Sequence, residues 1–255
     1  MTILVDVHAH MDYPDIIKDI DAVIARAREA GVKVIVAAGV DKRSNRKVLE
    51  LSEKYDIVLP ALGIYPPDAL KTELGPDFEE FDIEQELEFI RSQNPVAIGE
   101  VGLDFKNGKN FEMQKELFSR QISIAKEKDI PVIVHSRKAE ADALDILEES
   151  GHNKVVLHCF CGRKHLVKRA ADLGYYFSVP TNVVKSEQFQ NLVNTVHISK
   201  LLTETDSPFL SPFTGKTNEP AFVLESLKKI AEIKGMTLED TANNIFMNYQ
   251  SLFLK

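Results

Sequence analysis

Short runs of apolar, often β-branched residues recur along the chain and alternate with longer segments in which apolar residues repeat every three or four positions. Runs of the first kind are typical of parallel strands covered on both faces, because such strands do not alternate polar and apolar residues. Eight such strands are predicted, at Ile3–Val7, Lys33–Ala38, Ile57–Leu62, Val96–Glu100, Val132–His135, Val155–His158, Tyr175–Val179 and Leu201–Thr205.

Segments with helical periodicity lie between these strands. In Asp15–Ala30, Ile20, Ile24 and Ala27 belong to one apolar stripe, and Gly31 follows as a stop signal. The longest irregular segment, Tyr65–Phe81, is rich in Pro, Asp and Glu and is predicted to be a loop over one end of the fold. Further helices are predicted at Phe111–Lys128, Lys138–Glu149, Lys164–Leu173, Ser186–Val196, Pro220–Lys234 and, as an additional closing helix, Thr237–Phe253.

Strict alternation of strands and helices predicts an α/β fold with a parallel sheet. Eight units in 255 residues match the size of a (β/α)8 TIM barrel. The alternative is an open, doubly wound sheet, but no G-x-G-x-x-G sequence follows the first strand. We therefore predict a single-domain barrel over residues 1–255, closed by a C-terminal helix.

The composition is that of a globular protein, with 44% hydrophobic and 27% charged residues. No apolar run is long enough to span a bilayer, and the first residues do not resemble an export signal. Two cysteines two positions apart, Cys159 and Cys161, are poorly spaced for a disulfide. These features predict a cytoplasmic protein without membrane contact or an obligate protein partner.

Two histidines, His8 and His10, follow the first predicted strand. Residues two apart on an extended chain project to the same side, so both imidazoles are able to reach one cation. Taken alone, this spacing is equally well explained by two surface histidines after a strand.

Acidic residues follow two other strands. Glu100 ends the fourth strand between Gly99 and Gly102, and Asp206 follows the eighth strand just before a Ser-Pro turn. A carboxylate at such a position is costly to bury unless a cation or a basic side chain neutralises it. The local alternatives are a Glu100 paired with Arg or Lys, and an Asp206 satisfied by backbone amides of the turn.

The fifth and sixth strands end at His135 and His158, each of which alone would be interpreted as a hydrogen-bonded core histidine. However, four of the seven histidines stand at predicted carboxyl ends of strands, where the active sites of barrels lie. The other three, His152, His165 and His197, are predicted to be surface residues. We therefore predict a binuclear metal centre with six ligands: His8, His10, Glu100, His135, His158 and Asp206.

Five short motifs occur in register along the chain: Asp6-x-His8-x-His10, Gly99-Glu100-x-Gly102-Leu103-Asp104, His135-Ser136-Arg137, His158-Cys159-Phe160 and Thr205-Asp206-Ser207-Pro208. At these residues, and also at Gln114, the Asn218-Glu219-Pro220 turn and the ending Asn248-x-x-x-Leu252-Phe253, the sequence resembles the TatD-type metal-dependent deoxyribonucleases of the amidohydrolase superfamily.

The resemblance implies metal-dependent hydrolysis, usually of phosphodiester bonds in DNA. It also implies roles by position: His8 and His10 with Asp206 would hold one ion, His135 and His158 the other, and Glu100 would bridge them. The family commonly has a Gly-x-His-Pro turn where this chain has Tyr65. Tyr65 is accordingly predicted to contact the substrate and to alter substrate choice or rate.

The expected mechanism uses a metal-activated water, with Glu100 and Asp206 as catalytic residues. Arg137 is predicted to neutralise a phosphate oxygen. Two divalent ions are expected, and the ligand set suits magnesium, zinc or manganese. The substrate is expected to be DNA, as single strands or ends, because the net charge of −8 weighs against tight duplex binding.

The main alternative is an amidohydrolase-type enzyme that hydrolyses an ester, amide or lactone with the same metal ligands. The acidic net charge leans slightly towards this alternative, whereas the resemblance favours the nuclease. A protein that uses metal only for stability is a third interpretation, but structural metal sites are usually closed and four-coordinate.

Overall fold

The structure, a computed structural model, describes residues 2–254. Eight parallel strands form one sheet in which each strand pairs with the next along the chain. The strands are β1 (Leu4–Ala9), β2 (Val32–Ala38), β3 (Val58–Leu62), β4 (Ala97–Asp104), β5 (Val132–Arg137), β6 (Val155–Leu157), β7 (Tyr176–Val179) and β8 (Leu201–Thr203).

The helices lie between the strands in chain order. They are α1 (Pro14–Ile17), α2 (Ile20–Ala30), α3 (Lys42–Lys54), α4 (Pro67–Leu74), α5 (Ile83–Ser92), α6 (Phe111–Lys128), α7 (Glu140–Ser150), α8 (Lys164–Asp172), α9 (Glu187–Thr195), α10 (Val223–Lys234) and α11 (Leu238–Phe253). Helix α11 is the predicted closing helix. No helix within residues 2–254 is both long enough and apolar enough to cross a membrane.

The first and last strands meet just beyond their carboxyl ends. The backbone N–H of Asp206 donates to the carbonyl of His8 at 3.0 Å, and that of His10 donates to the carbonyl of Ser207 at 2.8 Å. These two bonds form a seam that brings the ends of the sheet together into a nearly closed barrel. The predicted (β/α)8 architecture is confirmed.

The strands are covered on both sides. Every residue of β1 and of β4 is buried, and the helices bury apolar stripes against the barrel, as α2 does with Val23, Ile24 and Ala27. A fully buried side chain of this size contributes about 1.5–3 kcal/mol through removal from water. This burial explains why the strands were recognisable as unbroken apolar runs.

Two predicted segments differ from the structure. The helix predicted over Asp15–Ala30 is two helices, because Asp19 adopts a non-helical conformation (φ −136°, ψ 33°) and begins α2 anew. The segment Tyr65–Phe81, predicted to be a loop, contains α4 and a 3₁₀ turn at Gly75–Asp77. Pro67 at the first position of α4 favours a helix start, and the helix buries Ala69 and Leu70.

His152 was predicted to lie on the surface, and this was wrong. Its side chain is buried, and its Nε2 lies 3.1 Å from the carbonyl oxygen of Ile130. The imidazole is therefore a hydrogen-bonded structural group, which lowers its pKa mainly through burial. His165 and His197 are exposed, as predicted.

We expect Asn248→Ala to lower the free energy of unfolding by about 1–3 kcal/mol, because two buried carbonyl groups would lose their donor. The Asn248 amide of α11 donates to the carbonyl of Ile198 at 2.8 Å and to that of Leu201 at 2.7 Å, which attaches the closing helix to β8. Urea unfolding followed by circular dichroism measures the change.

The control is Asn244→Ala on the same helix, where the exposed amide bonds only to Asp240 of its own helix. This substitution should change stability by no more than about 0.5 kcal/mol. Equal losses in the two variants would contradict the proposed attachment of α11 through Asn248.

Candidate metal centre

The six predicted ligands stand at the carboxyl end of the barrel on five different strands or the residues that follow them. His8, Glu100 and His135 lie within β1, β4 and β5, whereas the other three follow strands that end earlier than predicted. The structure brings all six together. They are His8, His10, Glu100, His135, His158 and Asp206.

One group of donors forms around the first strand. The Nε2 atoms of His8 and His10 are 3.4 Å apart, and they lie 3.5 and 3.4 Å from Oε2 of Glu100. Oδ1 of Asp206 is 3.6 Å from His8 Nε2 and 3.4 Å from His10 Nε2. Two imidazoles and two carboxylates therefore face one small space.

The other oxygen of Glu100 faces a second group. Its Oε1 lies 2.9 Å from Nδ1 of His135 and 3.8 Å from Nε2 of His158. The ligand atoms of His8, His10 and Glu100 all lie within 4.8 Å of one another, and so do those of Glu100, His135 and His158. Glu100 is the member shared by the two groups.

The site is deeply buried, and its charges compensate one another. Burial disfavours ionisation of Glu100, but the neighbouring His135 and His8 outweigh this and hold its pKa well below the ordinary value. Burial likewise opposes the charge on His158, yet Glu204, Asp206 and Glu100 raise its pKa to about 10. Without a bound cation, the carboxylates thus depend on protonated imidazoles for neutralisation.

The donor set fits divalent cations. Nδ1 of His8 and Nδ1 of His10 are buried and have no hydrogen-bond partner within residues 2–254. Both rings direct Nε2 towards the carboxylates of Glu100 and Asp206. Imidazole nitrogens and carboxylate oxygens that converge without water are typical ligands of zinc, manganese and related ions, and a cation would neutralise the carboxylates without requiring imidazolium.

Glu204 is a functional residue that the sequence analysis missed. Its Oε2 lies 2.8 Å from Nδ1 of His158 and accepts a hydrogen bond from Ser178 Oγ at 2.5 Å, and its Oε1 accepts from the N–H of Cys159 at 3.0 Å. A carboxylate behind a metal-binding histidine fixes the orientation of the ring. The available signal was a glutamate two positions before Asp206 that directly follows an apolar strand.

Asp6 supports the site from below. Its Oδ1 accepts hydrogen bonds from the N–H groups of Thr205, at 2.9 Å, and His8, at 3.3 Å, and its Oδ2 accepts from the Thr205 hydroxyl at 2.5 Å. These bonds connect β1 to the segment that carries Asp206. The two segments that supply three of the six donors are thereby held in register.

Tyr65 lies beside His135 rather than open to solvent. Its side chain is 5% exposed, and its hydroxyl donates to Oδ2 of Asp104 at 2.8 Å and lies 3.1 Å from Nε2 of His135. Burial opposes the charge on Asp104, but His135, backbone N–H groups and Tyr65 lower its pKa to about 2. The Tyr65 hydroxyl is thus engaged in orienting His135, and its substrate contact stays a prediction.

The remaining candidates lie around the site. The side chain of Arg137, the last residue of β5, is 46% exposed, and its guanidinium lies 3.5 Å from Glu73. Phe160 is buried against Phe177 and is a core residue. Ser207 is buried with its hydroxyl bonded to that of Thr205, and Arg163 and Lys164 are exposed at the start of α8. Arg137 is the basic group at this end of the barrel that projects from a strand bearing a ligand.

Residues 5–254 match the sequence model of the family described as TatD related DNase. The chain belongs to this family. The TatD-family chain is 36% identical over 260 residues to a human protein named deoxyribonuclease TATDN3, covering 99% of the chain and 95% of that protein. It is also 36% identical over 257 residues to the metal-dependent hydrolase YabD of Bacillus subtilis, covering 98% of each.

A solved structure supports the same assignment. The crystal structure of YJJV, a TatD homologue from Escherichia coli K12, superposes with a TM-score of 0.87 at 28% identity, covering 98% of this chain and 97% of that one. The predicted resemblance is confirmed. This TatD-family barrel is a metal-dependent hydrolase.

We expect Glu204→Gln to weaken divalent-cation binding by about 10–100-fold, because the charge that orients His158 would be lost. Competition with a fluorescent chelator at fixed pH measures the affinity. The control is Glu232→Gln on α10, where the side chain is 67% exposed and pairs only with Lys229. Wild-type affinity in Glu204→Gln would show that Glu204 does not support the metal centre.

Removal of the Tyr65 hydroxyl tests whether this residue orients His135 or contacts the substrate. We expect Tyr65→Phe to lower cation affinity by about 10-fold, and Tyr65→His to restore part of it by offering a ring nitrogen to the same neighbours. Tyr176→Phe is the matched control, since Tyr176 lies against Lys200 on β7. Unchanged cation affinity with a raised KM would instead favour a substrate contact.

Proposed function

We propose that this protein is a divalent-metal-dependent deoxyribonuclease that cleaves phosphodiester bonds in single strands or strand ends of DNA. The observation that carries the proposal is the position of Glu100, whose two carboxylate oxygens each face a pair of imidazoles. Membership of the TatD-related DNase family and the name of the human relative support DNA as the substrate.

We infer two cation positions that share Glu100. His8 and His10 with Asp206 would hold one cation, and His135 and His158 the other, with magnesium, zinc or manganese as the candidate ions. Divalent cations held there would make water more acidic and neutralise charge that develops on the phosphodiester.

The chain supplies a proton acceptor next to this space. The side chain of Asp206 is 13% exposed, compared with 4% for Glu100, so it is the carboxylate of the pair that faces the mouth. Burial opposes its ionisation, but His158, His10 and His8 lower its pKa below the ordinary value. Asp206 is therefore ionised at neutral pH and suited to orient a water molecule and accept its proton.

Substrate capture depends on local groups, because the net charge is −8. Arg137 at the end of β5 is proposed to contact a phosphate oxygen, since a guanidinium matches phosphate geometry. Tyr65 is proposed to affect substrate choice through His135. Residues 1–255 are proposed to act as a single hydrolase barrel in the cytoplasm, where Cys159 and Cys161 would stay as the free thiols that the structure shows.

The decisive experiment measures cleavage of single-stranded DNA by metal-stripped protein after magnesium, manganese or zinc is restored. Cleavage should require the cation. Glu100→Ala and Asp206→Ala should each reduce the rate by at least about 100-fold, because each removes several kcal/mol of stabilisation of the reacting phosphate or water. Circular dichroism and metal content establish that each variant is folded and loaded.

Small acyl esters, amides and lactones are assayed in parallel. No DNA cleavage by folded, metal-loaded wild-type protein would reject the nuclease proposal, and turnover of an acyl substrate would replace it with the amidohydrolase alternative. Cleavage that persists in Asp206→Ala would reject the role of this carboxylate alone.

A further inference from the structure

An aromatic pair borders the metal centre on the side of His10. Phe209 is 44% exposed, yet its ring centroid lies 5.9 Å from that of His10 and 5.2 Å from that of Tyr13, edge to face in both cases. Single exposed apolar residues are common and carry no meaning by themselves. Among the exposed large apolar side chains of residues 2–254, Phe209 is distinguished by its ring contact with a proposed metal ligand.

The position of Phe209 is fixed by the segment that carries Asp206. The N–H of Phe209 donates to the carbonyl of Asp206 at 2.8 Å, and its carbonyl accepts from the side-chain amide of Asn218 at 2.6 Å. Asn218 is fully buried and also donates to the carbonyl of Thr205 at 2.7 Å. The ring is therefore attached to a rigid backbone, and its exposure is not that of a mobile loop tip.

Tyr13 forms the other half of the pair. Its carbonyl accepts the N–H groups of Ile16 and Ile17 at the start of α1, so its backbone is also fixed. Burial, followed by the charge of Glu100, raises the pKa of its phenol. The ring is thus neutral at any physiological pH, and the pair offers an apolar surface next to a strongly acidic set of ligands.

An anionic substrate meets an unfavourable overall charge on this protein, so contacts that do not depend on charge gain importance. Base–aromatic stacking is such a contact, because every base has a π-face and the interaction does not select base identity. A base attached to a phosphate at the metal centre lies within a few ångströms of that phosphate, which is the scale of the separation between Phe209 and His10.

We propose that Phe209 and Tyr13 form a base-stacking platform for the nucleotide next to the scissile phosphate. The proposal rests on the proposed nuclease function and specifies its substrate class as polynucleotides with unpaired bases, because the face of a base is accessible only outside a duplex stack. The platform carries no hydrogen-bonding pattern for a particular base, so it predicts little sequence preference.

The test uses Phe209→Leu, which keeps an apolar side chain against His10 but removes the π-face, and Phe209→Trp, which keeps it. The probe is a short single-stranded oligonucleotide with phosphorothioate linkages and one 2-aminopurine, whose fluorescence falls when the base stacks. Phe209→Leu should bind this oligonucleotide about 5–150-fold more weakly, which corresponds to the 1–3 kcal/mol of one stacked base. Phe209→Trp should retain affinity and quenching.

Phe213→Ala is the matched control, since Phe213 has a similar exposure of 39% but packs against Phe222. Cation affinity is measured for every variant, so that a damaged metal centre is recognised. A second probe carries an abasic site in place of the 2-aminopurine. It should bind wild-type protein and Phe209→Leu equally.

The outcomes separate this proposal from the nuclease proposal. Wild-type protein that cleaves single strands while Phe209→Leu binds and quenches normally would overturn the platform and leave the nuclease intact. Equal losses in Phe209→Leu and Phe213→Ala would also overturn it. Wild-type protein that neither binds nor cleaves any single strand would reject both.

Discussion

The structure depends on the burial of one carboxylate, Glu100, among imidazoles. A charge in a dry interior is stable only where compensating groups surround it. Its two oxygens lie between 2.9 and 3.8 Å from nitrogens of four histidines that come from β1, β5 and β6 or the residues that follow them. The barrel satisfies this requirement because parallel strands place their carboxyl ends on one rim, so distant parts of the chain meet without long loops.

The shell behind the ligands follows from the same constraint. His158 is oriented by Glu204 and His135 by Asp104 and Tyr65, while Asp6 holds the segment before Asp206. Each outer carboxylate accepts several hydrogen bonds, so that few groups at the site are free to rotate. Such rigidity suits hydrolysis, because ligands that are already in place need no rearrangement when charge changes at the substrate.

The sequence was sufficient for the barrel and for the gathering of the six donors, because both follow from local rules. Buried parallel strands are unbroken apolar runs, and the residue after such a run lies at the rim. The outer partners follow no such rule: Glu204 contacts His158 across 46 positions, and Tyr65 contacts His135 across 70. Which acid meets which histidine is set by packing. The same limit hid the break at Asp19, the helix at Pro67–Leu74 and the burial of His152.

The seam between the first and last strands also determines when the site can form. The bonds from Asp206 to His8 and from His10 to Ser207 join residues near the two ends of the chain, and Asp6 meets Thr205 across 199 positions. A growing chain therefore carries His8 and His10 as separate side chains until β8 has been synthesised and docked. Closure of long-range contacts is the slow, entropically costly part of folding. Capture of cations by the complete site is consequently a late event, and a partly made or truncated barrel has no complete hydrolytic centre with which to attack nucleic acid near the ribosome.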